Sequence, residues 1–388
     1  MRVLFITLEY DRTTFSGNGT YAVCTVRFLR AAGHDVRVLC GAPGTAGEVH
    51  VSDGTACVSL DKWGTLDRSS DWAAFAYGAG RVASDRAFLG GDWQPDVVAG
   101  VDWTSAAAYE ALFPAKNVPL VYNNWRVFSR SDPQSLALEQ HAAQVAAATV
   151  ALSSVDADHI RRTLLPRGPV FRVAPPLRED VRSAHQALAA AASNATRCLV
   201  CCVVRLSAEK EPHRFVQAME VLAHRGALAA FGVTPALVGV PRDTYGTQLV
   251  AQLQAAAPDA EVYTSFLSPE QLGRSVYARS LLNVHPCWYD SFAQSVIEAA
   301  AFGCPTLMHP CDVGASDVLA HEQGLSFAVN ESEDATPAGL ADRIQALLHD
   351  APRLAAVGRA AQQAALAMHE GVTAEQMTRV LDAAVSRT

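Results

Sequence analysis

Aromatic side chains are scarce in this chain, at 7%, and charged residues are few, at 18%. Half of the residues are apolar, so the low charge does not mark a disordered polymer, which carries charge and avoids large apolar groups. A basic excess is missing: the formal net charge is −8. Nucleic-acid binders normally show a basic face, so that partner class is set aside. No apolar run is long enough to span a bilayer, which excludes a transmembrane helix. The nine cysteines are scattered, without the repeated pairs of a disulfide or zinc framework. Cys201 and Cys202 sit side by side in an apolar run and point to opposite faces of a strand. Reduced structural thiols suit a reducing compartment, and the start, Met1-Arg2-Val3, leads straight into a strand with no secretory signal. A cytoplasmic location is therefore expected.

What is present is a long apolar chain of 388 residues. That exceeds one ordinary hydrophobic core, so two domains are expected. In each half, short apolar runs alternate with helical stretches, the pattern of parallel sheets with crossover helices. Strands are expected in the first half at Val3–Leu8, Asp35–Leu39, Val97–Gly100, Leu120–Asn123, Thr149–Leu152 and Val170–Val173. A helix is expected over Thr20–Ala32, ended by Gly33. In the second half, strands are expected at Arg197–Val204, Ala236–Gly239, Ala260–Thr264, Leu281–His285, Pro305–Met308 and Ser326–Val329. Helices are expected at Pro212–Arg225, Thr244–Ala256, Pro269–Ala278, Ser291–Phe302 and Pro337–His349. The Ala-rich stretch Asp180–Ala195 reads as a helix plus linker. The tail Ala351–Thr388 reads as helical, broken near Gly371. Arg161, Arg162, Arg167, Arg172, Arg178 and Arg182 fall close together. A solvated surface is the favoured reading of them, and peripheral membrane contact stays open.

Three stretches carry chemistry. In Phe15-Ser16-Gly17-Asn18-Gly19-Thr20, glycines lie between the first strand and first helix, where backbone comes close to a ligand and a helix N-terminus attracts anions. The G-x-G spacing does not make a dinucleotide fingerprint. In Val203-Val204-Arg205-Leu206-Ser207-Ala208-Glu209-Lys210, two cations five residues apart follow a strand and suit a diphosphate. In Tyr289-Asp290-Ser291-Phe292-Ala293-Gln294-Ser295-Val296-Ile297-Glu298, an acid in a loop precedes an acid inside an apolar helix by eight positions. A buried carboxylate without a partner is costly, so Glu298 calls for one. A vicinal diol such as a ribose fits a carboxylate fork. The plainer reading is a helix cap at Asp290 and a salt-bridged core acid at Glu298. Together, a helix N-terminus, an Arg–Lys pair and a diol-binding acid are what a nucleotide diphosphate sugar needs.

At these residues the chain resembles the family-four retaining glycosyltransferases of the GT-B fold. Asp290, Glu298, Gly303 and Pro305 match the family's acid, helix Glu and following Gly-x-Pro, with Asp for the usual first Glu. Arg205 and Lys210 match its Arg and Lys. Gly17 and Gly19 match its glycine loop, Gly33-His34-Asp35-Val36 its entry to the second strand, and Pro95-Asp96-Val97-Val98 and Asp102-Trp103 its P-D-V-V and D-W. The resemblance implies an α/β architecture of two Rossmann-like domains with parallel sheets facing across a cleft. It puts the acceptor domain at residues 1–190 plus a C-terminal helix near 372–388, and the donor domain at 195–371. It implies a metal-independent, retaining transfer of a sugar from a UDP- or GDP-sugar to a hydroxyl, with no cofactor. Arg205, Lys210 and Asp290 take the catalytic roles. Gly17, Asn18, Gly19, Phe266, Leu267, Ser291, Phe292, Ala293 and Glu298 join them in binding the donor. Asp102, Trp103, Asn124 and Arg126 face the acceptor, which is a sugar, lipid, protein or small molecule.

The chain departs from the family in places. The His usual after Val118-Pro119-Leu120-Val121-Tyr122 is replaced by Asn123-Asn124-Trp125-Arg126, where Asn124 or Arg126 takes over its contacts. Another His, three before the D-W, is Ala99. Ser291 and Ala293 stand where the family has glycines. His285 and His309 are given no role. A non-catalytic nucleotide- or sugar-binding module and a nucleotide-sugar epimerase are the competing readings.

Overall fold

In a computed structural model, the chain divides into two compact units, residues 1–176 with 370–388, and residues 177–369. The structure describes all residues except 12–16, 46–47, 53, 61–74, 77, 81–91, 131, 191–195, 331 and 388. Phe15 and Ser16, and the end of the stretch read as a helix plus linker, lie outside the described residues.

The first unit is built on strands β1 (Arg2–Ile6), β2 (Asp35–Pro43), β3 (Val49–Ser52), β4 (Thr55–Leu60), β5 (Val97–Val101), β6 (Leu120–Asn124), β7 (Ala148–Ala151) and β8 (Val170–Arg172). Their order is β3-β4-β2-β1-β5-β6-β7-β8. Every neighbouring pair is parallel except β3–β4. Parallel strands buried on both faces read as unbroken apolar runs, and β5 is buried at every position. The antiparallel hairpin β3–β4 is missing from the expected strands because β3 is short and mostly exposed, although the sequence marks its turn with Asp53-Gly54. The helix Gly17–Ala31 packs against the C-terminal helix Glu370–Val385, which rests on β5, β6 and β7. His34 Nε2 meets Thr378 Oγ1 at 2.9 Å, and Thr373 Oγ1 donates to the Ala174 carbonyl at 3.3 Å.

The second unit is a six-stranded, wholly parallel sheet of β9 (Leu199–Val203), β10 (Thr234–Val238), β11 (Glu261–Tyr263), β12 (Ser280–Val284), β13 (Thr306–Met308) and β14 (Phe327–Ala328). The order is β11-β10-β9-β12-β13-β14. Several helices begin where sequence chemistry places them. Asp243 caps Gly246 N at 2.9 Å, and Thr336 caps Gly339 N at 3.0 Å. Ser268 and Gln271 form a reciprocal capping box. The helices Ala351–Leu366 and Gln294–Ala301 pack closely because Gly358 has no side chain; a Cβ there would lie 2.5 Å from the Gly303 carbonyl.

Two expectations change. The stretch read as a helix plus linker does form a helix, Glu179–Ala190, but this helix groups with the second unit, so the chain passes between units near Pro176 and not near residue 190. Val181 and Ala184 bury against that unit's helices, and the Arg182 guanidinium donates to the carbonyls of Leu366 and Met368. The helix expected from Ser291 starts at Gln294, because Ala293 adopts left-handed backbone at φ 62°.

Candidate functional site

In a parallel sheet all carboxyl ends lie on one edge, and ligands gather there. On the second unit that edge carries the loop after β9, with Arg205 and Lys210, and the loop after β12, with His285 to Ala293. The two loops meet: Lys210 Nζ lies 2.7 Å from Asp290 Oδ2. His285 Nε2 is 3.4 Å from the same oxygen and 3.1 Å from Cys287 Sγ. The other oxygen, Asp290 Oδ1, accepts from Ala293 N at 3.1 Å and Phe292 N at 3.4 Å. Asp290 is therefore clamped on both oxygens, and it is not the helix cap expected of it, because its backbone partners precede a helix that starts at Gln294 without a side-chain cap. Ser291 Oγ and Tyr289 Oη are 2.8 Å apart. Arg205 Nη1 pairs with Glu209 Oε1 at 3.0 Å.

The electrostatics follow from burial against charge. Burial alone raises the Asp290 carboxyl, but Lys210 and His285 hold it well below the usual carboxylate range. Burial lowers the Lys210 ammonium, and Asp290 more than offsets this, leaving it raised. Burial also works against a charged His285, yet Cys287 and Asp290 bring it up to about 9. His285, Cys287 and Asp290 place three donor atoms within 4.8 Å of one another. Lys210 already holds the carboxylate oxygen such a set would offer, so the cluster reads as a hydrogen-bonded charge chain.

Glu298 sits in the helix Gln294–Ala301 and is only 8% exposed. Its partner is Arg178, with Nη1 3.3 Å from Oε1. Arg178 is itself gripped by Asp180, at 2.6 Å and 3.0 Å. Burial lifts the Glu298 carboxyl to about 7; the Arg178 charge works against this, and Asp180 adds to it. Phe266, 83% exposed, and Leu267 follow β11 at the same sheet edge. An exposed ring at a ligand-binding edge offers a stacking face.

On the first unit, Gly17, Asn18 and Gly19 are the first turn of the helix Gly17–Ala31. Asn18 Nδ2 donates to Asp102 Oδ2 at 2.7 Å. Asp102 follows β5 with a left-handed φ of 56°, a strained state for a non-glycine residue and a mark of functional sites. It is buried, and burial together with Glu139 pushes its carboxyl up to about 8. Its Oδ1 is buried without a hydrogen-bond partner, as is Asn124 Oδ1. The Asn124 amide nitrogen faces Glu139 Oε1 at 3.4 Å, so its oxygen is the end left over. Arg126 lies over the Phe128 ring, 4.9 Å from its centroid, and Trp103 is buried.

Sequence reasoning assigns no role to His285 and misses Arg178 and Glu139 as site residues. His285 does carry a signal, five residues before Asp290 at a strand end. Arg178 appears in the sequence only as one of a cluster of arginines. Glu139 has no signal at all, being one acid in a helical stretch. It is fully buried beside the backbone of Phe128 and Ser129, whose N–H groups donate to it at 2.8 Å and 3.0 Å.

Residues 186–364 match the family model described as Glycosyl transferases group 1, and residues 16–176 match the Glycosyl transferase 4-like domain. The chain belongs to the glycosyltransferases of the family-four kind. It is 25% identical to a glycogen synthase of Mycobacterium tuberculosis over 390 residues, covering 94% of this chain and 90% of that protein. Among solved structures it superposes on a sucrose-phosphate synthase from Thermosynechococcus elongatus with a TM-score of 0.78, at 16% identity and 100% coverage of both chains. An Anabaena protein, HepE, in complex with UDP and glucose matches with a TM-score of 0.71, at 17% identity, covering 98% of this chain and 99% of that one. These likenesses place the two parallel α/β units in the GT-B fold. No described helix is long and apolar enough to cross a membrane.

Proposed function

We propose that this glycosyltransferase takes its sugar from a nucleotide diphosphate sugar bound by the second unit and passes it to a hydroxyl acceptor bound by the first. The observation that carries the reading is the meeting of Lys210 with Asp290, beside Arg205, on the carboxyl edge of a wholly parallel sheet. Breaking a sugar–phosphate bond leaves charge on the departing diphosphate. Fixed cations aimed at that charge lower the barrier, and they need no reorganisation when it appears. Lys210 and Arg205 fill that role with no metal ion required of the reaction. Glu298 accepts the ribose hydroxyls, and Phe266 with Leu267 meets the base. Asp290, held by Lys210 and two backbone N–H groups, presents a fixed acceptor edge to the donor sugar. The anomeric configuration is retained, as the family resemblance implies. A UDP-sugar is the favoured donor, since a structural neighbour binds UDP with glucose. Asp102 and Asn124, with their unpartnered buried oxygens, receive the acceptor's hydroxyl donors.

Thermal unfolding with UDP, GDP and ADP tests the donor reading. A ligand at about 100 times its dissociation constant adds about 2.7 kcal/mol of stability. Lys210→Ala is expected to abolish most of the shift given by the effective nucleotide. An equal shift in wild type and variant refutes the placement of the diphosphate. No shift with any nucleotide moves the reading to a non-catalytic module.

A further inference from the structure

We propose that His285 is a positioning residue of this reaction, holding Asp290 and lending the site the positive charge that lets Lys210 serve a diphosphate. The inference rests on the donor reading of the second unit.

His285 lies at the carboxyl end of β12, and its backbone N–H donates to Leu307 O at 2.9 Å, so the sheet fixes its base. Its side chain is 2% exposed. Nε2 reaches Asp290 Oδ2 at 3.4 Å, the oxygen that Lys210 also holds. With the two backbone donors on Oδ1, His285 and Lys210 complete a clamp on both oxygens of one carboxylate. A carboxylate held on both oxygens keeps one orientation, which a site acting at close range requires.

The balance of charge at this corner needs His285 as well. Lys210 and Asp290 alone sum to zero, and Arg205 is matched by Glu209 at 3.0 Å. Charges paired this way offer a diphosphate only a reduced attraction. A protonated His285 on the same carboxylate adds one positive charge to these four groups. The groups in contact with the imidazole are Cys287, whose Sγ is 3.1 Å from Nε2, and the Asp290 carboxylate, and Glu211 reaches the same loop at Trp288 N. Lys210 and Arg205 lie just beyond them, with Cys202 and Arg214 ranged around Cys287. Burial of an imidazolium is tolerated only beside a counter-charge, and Asp290 supplies it.

The test is calorimetric titration of UDP, and of uridine as the phosphate-free control, into the full chain from about pH 6.5 to 10, a range that spans the loss of an imidazole proton. For the wild type, the ratio of UDP to uridine affinity is expected to hold through the neutral range and fall above about 9, where His285 loses its proton. The ratio cancels the ionisation of the uracil N3–H, which both ligands carry and which falls in the same range. His285→Gln keeps a hydrogen-bonding side chain without the charge. Its UDP affinity at neutral pH is expected to drop on the order of tenfold and to lose the fall near pH 9, with uridine unchanged. If His285→Gln matches wild type in affinity and pH profile, the proposal is overturned. It is equally overturned if the variant unfolds more easily but binds UDP with the wild-type profile, because the role is then structural. The wild-type profile alone decides the matter should the variant not fold. A wild type that binds uridine but not UDP removes the diphosphate site and the donor reading; a UDP-to-uridine affinity ratio that stays flat with pH removes only the role of His285.

Discussion

Replacing Glu298 with glutamine removes a charge from a helix whose neighbours Val296, Ile297 and Ala299 to Ala301 are buried. The carboxyl titrates near 7 in the folded protein against an ordinary value of 4.5, because burial outweighs the single long contact with Arg178. Its folded value is raised, so the folded state binds the proton more tightly than the unfolded one. Stability from this group is therefore present below pH 4.5 and is lost as pH climbs through 7. Lifting a carboxyl from 4.5 to about 7, at about 1.36 kcal/mol per pH unit, amounts to a penalty of about 3 kcal/mol above pH 7. Glutamine has the same shape and never ionises. Arg178 keeps Asp180 at 2.6 Å, so the substitution does not strand a charge. Urea unfolding of wild type and Glu298→Gln at about pH 4.5, 6 and 8 reads the effect. The variant is expected to gain on the wild type as pH rises, by up to about 3 kcal/mol at about pH 8, without nucleotide. With the effective nucleotide present the order reverses, since glutamine offers a diol one acceptor oxygen. Parallel pH curves for the two proteins would show that Glu298 ionises without cost and that burial does not govern its titration.

Asp102, titrating near 8 because burial and Glu139 disfavour its charge, follows the same sign. Wild-type stability is expected to fall between about pH 4 and 8 more steeply than that of Asp102→Asn, and thermal melts across that range check it. Ala293 carries a Cβ at φ 62°, so Ala293→Gly relieves left-handed strain and is expected to add about 0.5–1 kcal/mol in denaturant melts. An unchanged midpoint would show that the loop enforces no strain there.

Periodicity and punctuation carry far in this chain. The strand from Leu120 and the helices from Pro212, Thr244 and Pro337 begin where apolar runs, prolines and Ser/Thr/Asp caps predict, since these are local causes. The hairpin β3–β4 has a local cause too, the Asp53-Gly54 pair between its two short runs, which the strand reading passes over. Local signals also mislead at one helix start. An Asp followed by Ser reads as the opening of a helix at Ser291. The Asp290 carboxylate instead folds back on the N–H groups of Phe292 and Ala293, and the helix waits until Gln294. At the site, the residue types and spacing of Arg205, Lys210, Asp290 and Glu298 stand out because charge is unusual beside strand ends and inside an apolar helix.

The amino-acid sequence by itself determined the alternation of strand and helix, the parallel sheets it implies, and the cations and acids at strand ends, because all of these are set by neighbours a few residues away. Only the tertiary structure decided which of those charges touch. Lys210 and Asp290 are 80 residues apart along the chain, and Arg178 and Glu298 are 120 apart. Only the folded sheet brings β9 and β12 side by side, sets His285 against the same carboxylate as Lys210, and buries Glu298 deeply enough to hold its proton near neutral pH.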